Sequence, residues 1–399
     1  MKNICFVLNG NLPVPAVRGG AIESLVEMLV KENEVQRTYD FTIVGPYDEK
    51  TDSLKPAYHQ TTFVDIRYSR SINQRLGTIR AIINKLFHRD FALLSLYNYK
   101  VEQYLLKHGS DFDYIVNEHA DDGLFLLPAK KFGKEKFVNH LHMVTKANTT
   151  IHRAFHNYIS VSYFVKDYFI ASSNPDSKSN HSVLYNRVEL EKFNKELETT
   201  ECINIRKQLG FSCDDFVIAY CGRIKDFKGV KELVDAVLSI NNEHIKLMII
   251  GSSETHGMVS HYEKEIKTVV ECFSNRITFT GYINNTDLYK YYKISDVGVI
   301  PTVCEEAFNM VILEMMASGV PTIATKSGGM VEVGDDTTTR YIEKDDKLVE
   351  NIKEAVVQLY QAAEERANMT RAAKQRALLF DSRCYLNEFQ KAIDIFGGK

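Results

Sequence analysis

The stretch CGRIKDFKG carries two basic residues at a spacing that suits the binding of an anion. Arg223 and Lys228 lie near the two ends of the loop that joins the apolar run Phe216 to Tyr220 to an amphipathic segment beginning at Val230. The run predicts a strand and the segment predicts a helix. An arginine can bond a phosphate bidentately, a lysine adds a point charge, and the helix N-terminus adds free amides. The pattern predicts a diphosphate site, with an ordinary solvated turn as the alternative.

A carboxylate lies inside an apolar run of the segment PTVCEEAFNMVILEMMASGVPTIATKSGGMVEVG, Pro301 to Gly334. Met310 to Met316 is almost continuously apolar, and Gly319 and Pro321 follow it, which predicts a buried helix. Glu314 falls within this run. Because an unpaired buried charge costs several kcal/mol or more, Glu314 must find donors. The residues alone leave a neighbouring Lys or Arg as one candidate and a bound ligand as the other.

Two histidines lie where a predicted strand ends. His140 and His142 occur in KFVNHLHMVT, at the end of the predicted strand Lys136 to His140. Ligands of open α/β sheets bind outside the carboxyl ends of the strands, so a histidine in this place is well positioned for function. Residues two apart on a strand share a face, so only the loop geometry decides which of the two meets a ligand. A structural role is the alternative for both.

A glycine loop follows the first predicted strand. Asn3 to Leu8 is a short apolar run, and Gly19 and Gly20 precede the amphipathic segment AIESLVEMLVKE. Glycines at a helix N-terminus let an anion or a sugar approach the amides closely, although an ordinary tight turn would look the same. Since the dinucleotide fingerprint GxGxxG is absent from this loop, a nicotinamide or flavin oxidoreductase loses its best support.

The order of predicted elements indicates two α/β domains. Apolar runs alternate with helical stretches along most of the 399 residues, which favours parallel sheets covered on both faces. The polar stretch from Asn186 to Glu201 reads as a linker, after which a new series of strands begins. We therefore expect an N-terminal domain over residues 1–190, a C-terminal domain over 191–378 and a last amphipathic helix over 379–399 that packs back on the first domain.

Composition excludes several classes of function. The net charge of −3 gives no reason to expect nucleic-acid binding, and the seven scattered cysteines lack metal-ligand spacing and suit free thiols in a reducing compartment. No apolar run is long enough for a signal peptide or a membrane span, so we expect a cytoplasmic protein. The basic amphipathic stretch around Arg75 to Arg89 would suit contact with the inner face of the membrane, with a solvated face over a packed core as the alternative.

Several of these motifs together resemble the retaining glycosyltransferases of glycosyltransferase family 4. The most specific element is Glu306 followed at eight residues by Glu314 in EEAFNMVILEMMASGVPTIAT, and the likeness covers nearly the whole chain. It implies an α/β fold of GT-B architecture, with two doubly wound Rossmann-like domains that face a cleft. LPVPAVRGGAIE is also similar to bacterial members that act on surface or spore-coat polysaccharides. The N-terminal domain would bind the acceptor and the C-terminal domain the nucleotide sugar.

The resemblance assigns residues to the parts of a sugar nucleotide. Glu314 would bond the ribose hydroxyls. Arg223 and Lys228 would hold the diphosphate and neutralise the departing nucleotide, while Glu306 would contact hydroxyls of the donor sugar. The other implied positions are the backbone groups near Tyr282 and Ile283 for the base, the amides of Phe308, Asn309 and Met310 for the sugar or phosphates, Gly19 and Gly20 for the diphosphate or acceptor, and His142 near the donor sugar.

The implied reaction needs no cofactor and no metal, because Arg223, Lys228 and a helix end supply the positive charge. The acceptor, a saccharide or a lipid-linked saccharide, would attack from the face that the nucleotide leaves, and UDP is the expected nucleotide. Asn309 stands where the family often has glycine, and Asn186-Arg187-Val188-Glu189 departs from the usual hinge. Two alternatives remain: a GT-B sugar-nucleotide epimerase, and a catalytically idle coat or binding protein.

Overall fold

The computed structural model describes residues 1–87, 95–173, 178–253 and 259–397, with the backbone alone for 81–87. The strands are β1 (Lys2–Leu8), β2 (Tyr39–Pro46), β3 (Thr61–Ile66), β4 (Tyr114–Glu118), β5 (Phe137–Leu141), β6 (Asn157–Ser160), β7 (Asn180–Val183), β8 (Phe216–Cys221), β9 (Ile245–Ile250), β10 (Ile277–Gly281), β11 (Val297–Ile300), β12 (Thr322–Thr325) and β13 (Thr339–Ile342). The α-helices are α1 (Ala21–Gln36), α2 (Arg70–Phe87), α3 (Leu96–His108), α4 (Leu126–Phe132), α5 (Thr149–Ala154), α6 (Tyr163–Ala171), α7 (Leu190–Phe193), α8 (Thr199–Gln208), α9 (Val230–Ser239), α10 (His261–Cys272), α11 (Leu288–Lys293), α12 (Met310–Ser318), α13 (Met330–Val333), α14 (Leu348–Gln361), α15 (Ala363–Ala377) and α16 (Tyr385–Gly397).

The chain forms two compact domains, each built on one parallel sheet. The first domain comprises Met1–Arg187 and Ser382–Lys399, and the second comprises Val188–Asp381. The strand order is β3-β2-β1-β4-β5-β6-β7 in the first sheet and β10-β9-β8-β11-β12-β13 in the second. The order reverses between β1 and β4 in one sheet and between β8 and β11 in the other. Ligands bind outside the carboxyl ends of strands at such switch points.

The first sheet packs into a core that includes the last helix of the chain. Phe6 of β1 contacts Phe41 of β2 edge to face, with ring centroids 5.0 Å apart, and Phe389 of α16 lies 5.6 Å from Phe6. Phe389 is fully buried. The apolar side of α16 therefore belongs to the core of the first domain, which explains why the chain ends in an amphipathic segment.

The second core lies between its sheet and the helices that cover it. The buried side of α9, with Leu233 and Val237, packs in one cluster with Ile218 of β8 and Ile352 of α14. The strands β8, β9 and β11 are apolar almost throughout, as expected of parallel strands that are covered on both faces. The core fixes the strands whose carboxyl ends carry the candidate site.

Two features differ from the sequence expectations. The stretch from Asn186 to Glu201 is not a plain linker, because it contains α7 and the start of α8, and Phe193 is only 2% exposed. A single buried apolar side chain in an otherwise polar stretch produces no helical periodicity, so the sequence showed no sign of these helices. The strand β13 was not predicted; its sequence TRYI is short and half polar.

The basic stretch around Arg75 to Arg89 forms most of α2, and its last residues lie outside the described part of the chain. Arg80 in this helix forms an ion pair with Asp121. Among the described residues, no helix combines the length and the apolar character that crossing a bilayer requires.

Candidate functional site

The loop after β8 is pressed against the end of β11 through a glycine. Gly229 has a positive φ of 70°, and a β-carbon at this position would lie 1.9 Å from the carbonyl oxygen of Pro301. Only glycine fits so close an approach in that conformation. Val303 and Thr302 then donate hydrogen bonds to the carbonyl oxygen of Phe227, at 3.0 Å and 3.1 Å. The two loops at the switch point of the second sheet are thus held together.

This contact brings Lys228 and Glu306 into an ion pair, although they are 78 residues apart in sequence. The side chains are 19% and 13% exposed, so the pair is largely shielded from water. Thr302 lies 3.2 Å from the same carboxylate oxygen, Oε1. The backbone of Gly329 donates to the carbonyl oxygen of Glu306 at 2.8 Å. A cation and a carboxylate are therefore fixed side by side on two tethered loops.

Glu314 is buried in α12, and its side-chain partner is a tyrosine. The Tyr292 hydroxyl donates to Glu314 Oε2 at 3.0 Å. Burial raises the pKa of Glu314 to about 7, against the opposing effect of this hydrogen bond. In the described part of the chain, no Lys or Arg lies within ion-pair distance of Glu314. The side chain that hydrogen-bonds Glu314 is thus a neutral donor on one carboxylate oxygen, while the positive charge of Lys192 acts on the carboxylate from beyond ion-pair distance.

The start of α12 is capped by a side chain. Asn309 is the N-cap, and its Oδ1 accepts a hydrogen bond from the backbone of Ile312 at 3.0 Å. Asparagine is among the best N-cap residues because it satisfies one of the free amides of the first turn. Phe308, just before it, is 8% exposed and lies edge to face with Phe380. The departure from glycine at position 309 therefore has a local structural reason.

The remaining predicted residues of the second domain are more exposed. Arg223 follows β8 with an exposed side chain, and among the described residues its guanidinium has no carboxylate partner; its carbonyl oxygen accepts from the Tyr220 hydroxyl at 2.9 Å. Tyr282, just beyond β10, is 73% exposed, and Ile283 is half-buried. These three side chains are available to a ligand, while Met310 opens α12 as its first residue.

The glycine loop of the first domain closes over a buried acid. Gly20 is the N-cap residue of α1 with a φ of 106°, and a β-carbon there would lie 2.2 Å from Oε2 of Glu23. Glu23 is 3% exposed, and Oε1 accepts from Asn9 Nδ2 at 3.2 Å. Burial raises the pKa of Glu23. Gly19 also has a positive φ, of 74°. Gly20 therefore makes room for a carboxyl group that the sequence pattern did not indicate.

Both histidines contact one carboxylate at the switch point of the first sheet. His140 Nδ1 lies 3.0 Å from Glu118 Oε1, and His142 Nε2 lies 2.6 Å from Glu118 Oε2. Burial raises the pKa of Glu118, but the two imidazoles outweigh it and lower that pKa to about 2. Burial and the neighbouring His140 lower the pKa of His142 to about 4. At pH 7 the cluster thus holds an ionised carboxylate and a neutral His142.

A polar cavity of about 780 Å³ adjoins this cluster. His140 and His142 line it, together with Asn117 of β4 and Asn139 of β5. Such a lining suits hydroxyl-rich ligands, because amides and imidazoles both donate and accept hydrogen bonds. Ligand atoms of Glu118, His140 and His142 also lie within 4.8 Å of one another, so these side-chain types could hold a metal ion.

The structure sorts the predicted residues into two groups. Lys228 and Glu306 meet directly in the second domain, with Asn309 at the head of the helix that carries Glu314. Gly19, Gly20 and His142 lie in the first domain. Sequence reasoning missed Tyr292 and Glu118; only the latter had a signal, as a carboxylate closing an apolar strand, YIVNE.

Residues 203–376 match the protein family described as Glycosyl transferases group 1. The chain is 33% identical over 154 residues to an uncharacterized glycosyltransferase of Methanocaldococcus jannaschii, a match that covers 38% of this chain and 37% of that protein. It is 24% identical over 392 residues to spore coat protein SA of Bacillus subtilis, which covers 94% of each. The chain thus spans little more than a third of the first relative and nearly all of the second.

Solved structures with the same fold include a protein with a bound nucleotide. Anabaena HepE, solved in complex with UDP, superposes with a TM-score of 0.73 at 17% identity, covering 99% of this chain and 100% of that one. At this identity the likeness establishes the fold alone. The chain has the GT-B fold of two Rossmann-like domains, and the part of its second domain from residue 203 to residue 376 is similar to the glycosyl transferases group 1 family.

Proposed function

We propose that the protein is a retaining hexosyltransferase of glycosyltransferase family 4 that uses a nucleotide-diphosphate sugar, with UDP as the nucleotide. The observation that carries the proposal is the Lys228–Glu306 ion pair on the two loops that follow β8 and β11. These loops flank the switch point of a group 1 glycosyltransferase domain. A ligand bound there meets a fixed cation and a fixed hydroxyl acceptor together.

Lys228 and Arg223 hold the diphosphate in this proposal. Lys228 is already immobilised by Glu306, so little side-chain entropy is lost when a phosphate arrives. Arg223 is exposed and can turn its guanidinium toward the same phosphates. Free amides at the start of α12, near Asn309 and Met310, add partial positive charge. Together these groups stabilise the charge that develops on the departing nucleotide.

Glu314 and Glu306 accept hydrogen bonds from hydroxyl groups of the sugar nucleotide. Glu306 accepts hydrogen bonds from the donor sugar, since its carboxylate oxygens are acceptors and Lys228 holds the group in place. Glu314 accepts from the ribose hydroxyls with the oxygen that does not bond Tyr292. The exposed Tyr282 and the half-buried Ile283 lie beyond β10, where the proposal places the base.

The first domain binds the acceptor, a saccharide or a lipid-linked saccharide. Its polar cavity beside His142 has room for such a group. Attack from the face that the nucleotide leaves, with a donor phosphate oxygen assisting removal of the proton, retains the configuration at the sugar. We place this activity in the synthesis of surface glycans, and the likeness to a spore coat protein supports the surface location of the product.

A screen of sugar nucleotides tests the proposal. Thermal unfolding is measured with UDP and a panel of UDP-, GDP- and dTDP-sugars, because a ligand that binds the folded protein raises its stability once its concentration exceeds the dissociation constant. Release of free nucleotide is then assayed with and without added saccharides. We expect stabilisation by UDP and acceptor-dependent release. Conversion of the donor without any acceptor would favour an epimerase, and the absence of any nucleotide effect would leave only a binding protein.

The matched variants are Lys228→Ala and Lys231→Ala. Lys231 lies exposed in α9, three residues further along the chain. Lys228→Ala should lower turnover by about a hundredfold or more, on the order of what one preorganised charge contributes to a transition state, with the fold retained. Lys231→Ala should behave as the wild type. Equal turnover in all three proteins would refute the diphosphate assignment.

A further inference from the structure

In the cluster of Glu118, His140 and His142, the contacts of one carboxylate fix the orientation of both imidazole rings. Glu118 is the last residue of β4, which pairs with β1 on one side and with β5 on the other. Its carboxylate is therefore held by a central strand. His140 on β5 and His142 just beyond it share a face, and each takes a different oxygen of Glu118. One carboxylate thus orients two imidazole rings.

The contacts determine where the protons lie. An ionised carboxylate has no hydrogen and can only accept, so both facing nitrogens must carry one. His140 then bears its hydrogen on Nδ1, and His142 bears its hydrogen on Nε2. A neutral imidazole ring carries a single hydrogen, so with that hydrogen on Nε2, facing Glu118, the Nδ1 of His142 has a lone pair. Glu118 thereby selects one tautomer of His142.

The two rings differ in what they can offer a ligand. Nε2 of His140 is buried without a hydrogen-bond partner. Both rings line the polar cavity, but for His142 no hydrogen bond within the described ranges reaches Nδ1, and this nitrogen is not among the buried unpartnered atoms. His142 is therefore the ring that can meet a ligand, and the nitrogen it presents is an acceptor.

We propose that Glu118 is a positioning residue that holds His142 in the Nε2–H tautomer, so that Nδ1 accepts a hydrogen bond from a hydroxyl group of the sugar or acceptor in the cavity. The role of His142 toward substrate rests on the proposed glycosyl transfer, but the tautomer does not. His142 acts here as an acceptor, and it neither donates a proton nor attacks the substrate. The arrangement resembles other sites in which a carboxylate fixes the tautomer of a functional histidine.

The first test is spectroscopic and needs no activity. Long-range ¹H–¹⁵N correlation spectra of the histidine rings, assigned with His140→Gln and His142→Gln, report which nitrogen carries the hydrogen. We expect Nδ1–H for His140 and Nε2–H for His142 at pH 7. In Glu118→Gln, the amide offers one acceptor and one donor, so one of the two rings should change tautomer. A wild-type His142 with its hydrogen on Nδ1, or a Glu118→Gln protein with both tautomers unchanged, would overturn the proposal.

The second test is a double-mutant cycle on transfer activity. A residue that acts only through His142 has no further effect once His142 is gone, so Glu118→Leu and His142→Ala should be non-additive. We expect each single variant to lose about 10- to 100-fold in turnover, the effect of one hydrogen bond to a polar ligand group, and the double variant to lose no more than His142→Ala. Additive losses would refute the coupling.

Two controls distinguish positioning by Glu118 from a general effect of changing a buried acid and from metal binding. Glu102→Gln changes another buried glutamate of the first domain, whose pKa burial also raises, and should leave turnover and both tautomers unchanged. Titration with Co²⁺, followed by visible absorption, tests the competing use of the same side chains. A stoichiometric Co²⁺ spectrum that disappears in His140→Gln would assign the cluster to a metal and overturn the proposal.

Discussion

The protonation of Glu314 provides a sharp test of the nucleotide site, through the substitution Glu314→Gln. Burial raises the pKa of this carboxyl group to about 7, so it is partly protonated at neutral pH. Ribose hydroxyls donate best to the ionised form. Binding of UDP should therefore drive a proton off Glu314. In Glu314→Gln, which cannot ionise, this release disappears.

The size of the effect follows from the pKa. With a value of about 7, roughly nine-tenths of Glu314 is protonated at pH 6 and roughly one-tenth at pH 8. UDP should thus release about 0.9 proton from this group at pH 6 and about 0.1 at pH 8. The same linkage raises the affinity about tenfold between these pH values. At pH 8, Glu314→Gln should bind about 10- to 100-fold more weakly, because hydrogen bonds to a charged acceptor are lost.

Isothermal titration calorimetry measures the release directly. The apparent enthalpy of UDP binding is recorded in buffers of different ionisation enthalpy, and the slope gives the number of protons. The terminal phosphate of UDP also titrates near pH 6, so the meaningful quantity is the difference between wild type and Glu314→Gln. Glu102→Gln is the matched control, since Glu102 is buried with a raised pKa in the other domain and should release as the wild type does.

An independent measurement concerns the protein without ligand. A folded-state pKa raised from 4.5 to about 7 contributes stability that is present below pH 4.5 and lost as the pH rises through 7. Relative to Glu314→Gln, the free energy of unfolding of the wild type should fall over this window by about 3 kcal/mol. If this fall is seen but proton release on UDP binding is equal in both proteins, the ribose assignment is refuted while the pKa is upheld. If neither is seen, the carboxyl group of Glu314 is ionised in the folded protein at neutral pH, and its pKa is not raised.

Two further predictions concern the loop at Gly229 and the dependence on a metal. Gly229→Ala should destabilise the second domain by about 3 kcal/mol or more and lower turnover, because the new methyl group would clash with the Pro301 carbonyl. The control Gly210→Ala, at φ 79° with open space around it, should cost only about 1 kcal/mol for backbone strain, so equal denaturant midpoints for the two variants would contradict the close approach. Transfer activity should survive excess EDTA, since Lys228, Arg223 and the start of α12 supply the charge at the diphosphate; loss of turnover that Mg²⁺ restores would count against this.

Most strands and helices could be predicted from the sequence, because the strands of a buried parallel sheet appear in it as continuous apolar runs. β1 and β8 begin within a residue of their predicted starts, and α12 begins at the predicted Met310. The strand β13 and the helix α7 were missed, since TRYI is half polar and α7 has only four residues. Short elements are specified by their tertiary neighbours more than by their own pattern.

The residues of the site could be predicted from the sequence, but the contacts between them could not. The sequence places Lys228 and Glu306 each in a loop after a strand, and it marks Glu314 as a buried acid in need of a donor. It did not indicate that this donor is the Tyr292 hydroxyl, because Tyr292 lies in a short, polar helix with no sign of its orientation. The sequence also did not show which of His140 and His142 can meet a ligand. Their contacts with Glu118 distinguish the two rings.

The sequence by itself determined the parallel α/β class and put basic, acidic and glycine residues at strand ends, because local periodicity and turn residues act over a few positions. The tertiary structure decided which of those ends are neighbours. β8 lies beside β11, and β1 beside β4, because crossover connections carry the chain to the far side of the starting strand. Gly229 then lets two loops 78 residues apart touch, and the charge that Lys228 offers becomes a fixed partner of Glu306. Adjacency between distant segments is a property of the packed sheets, and no local pattern encodes it.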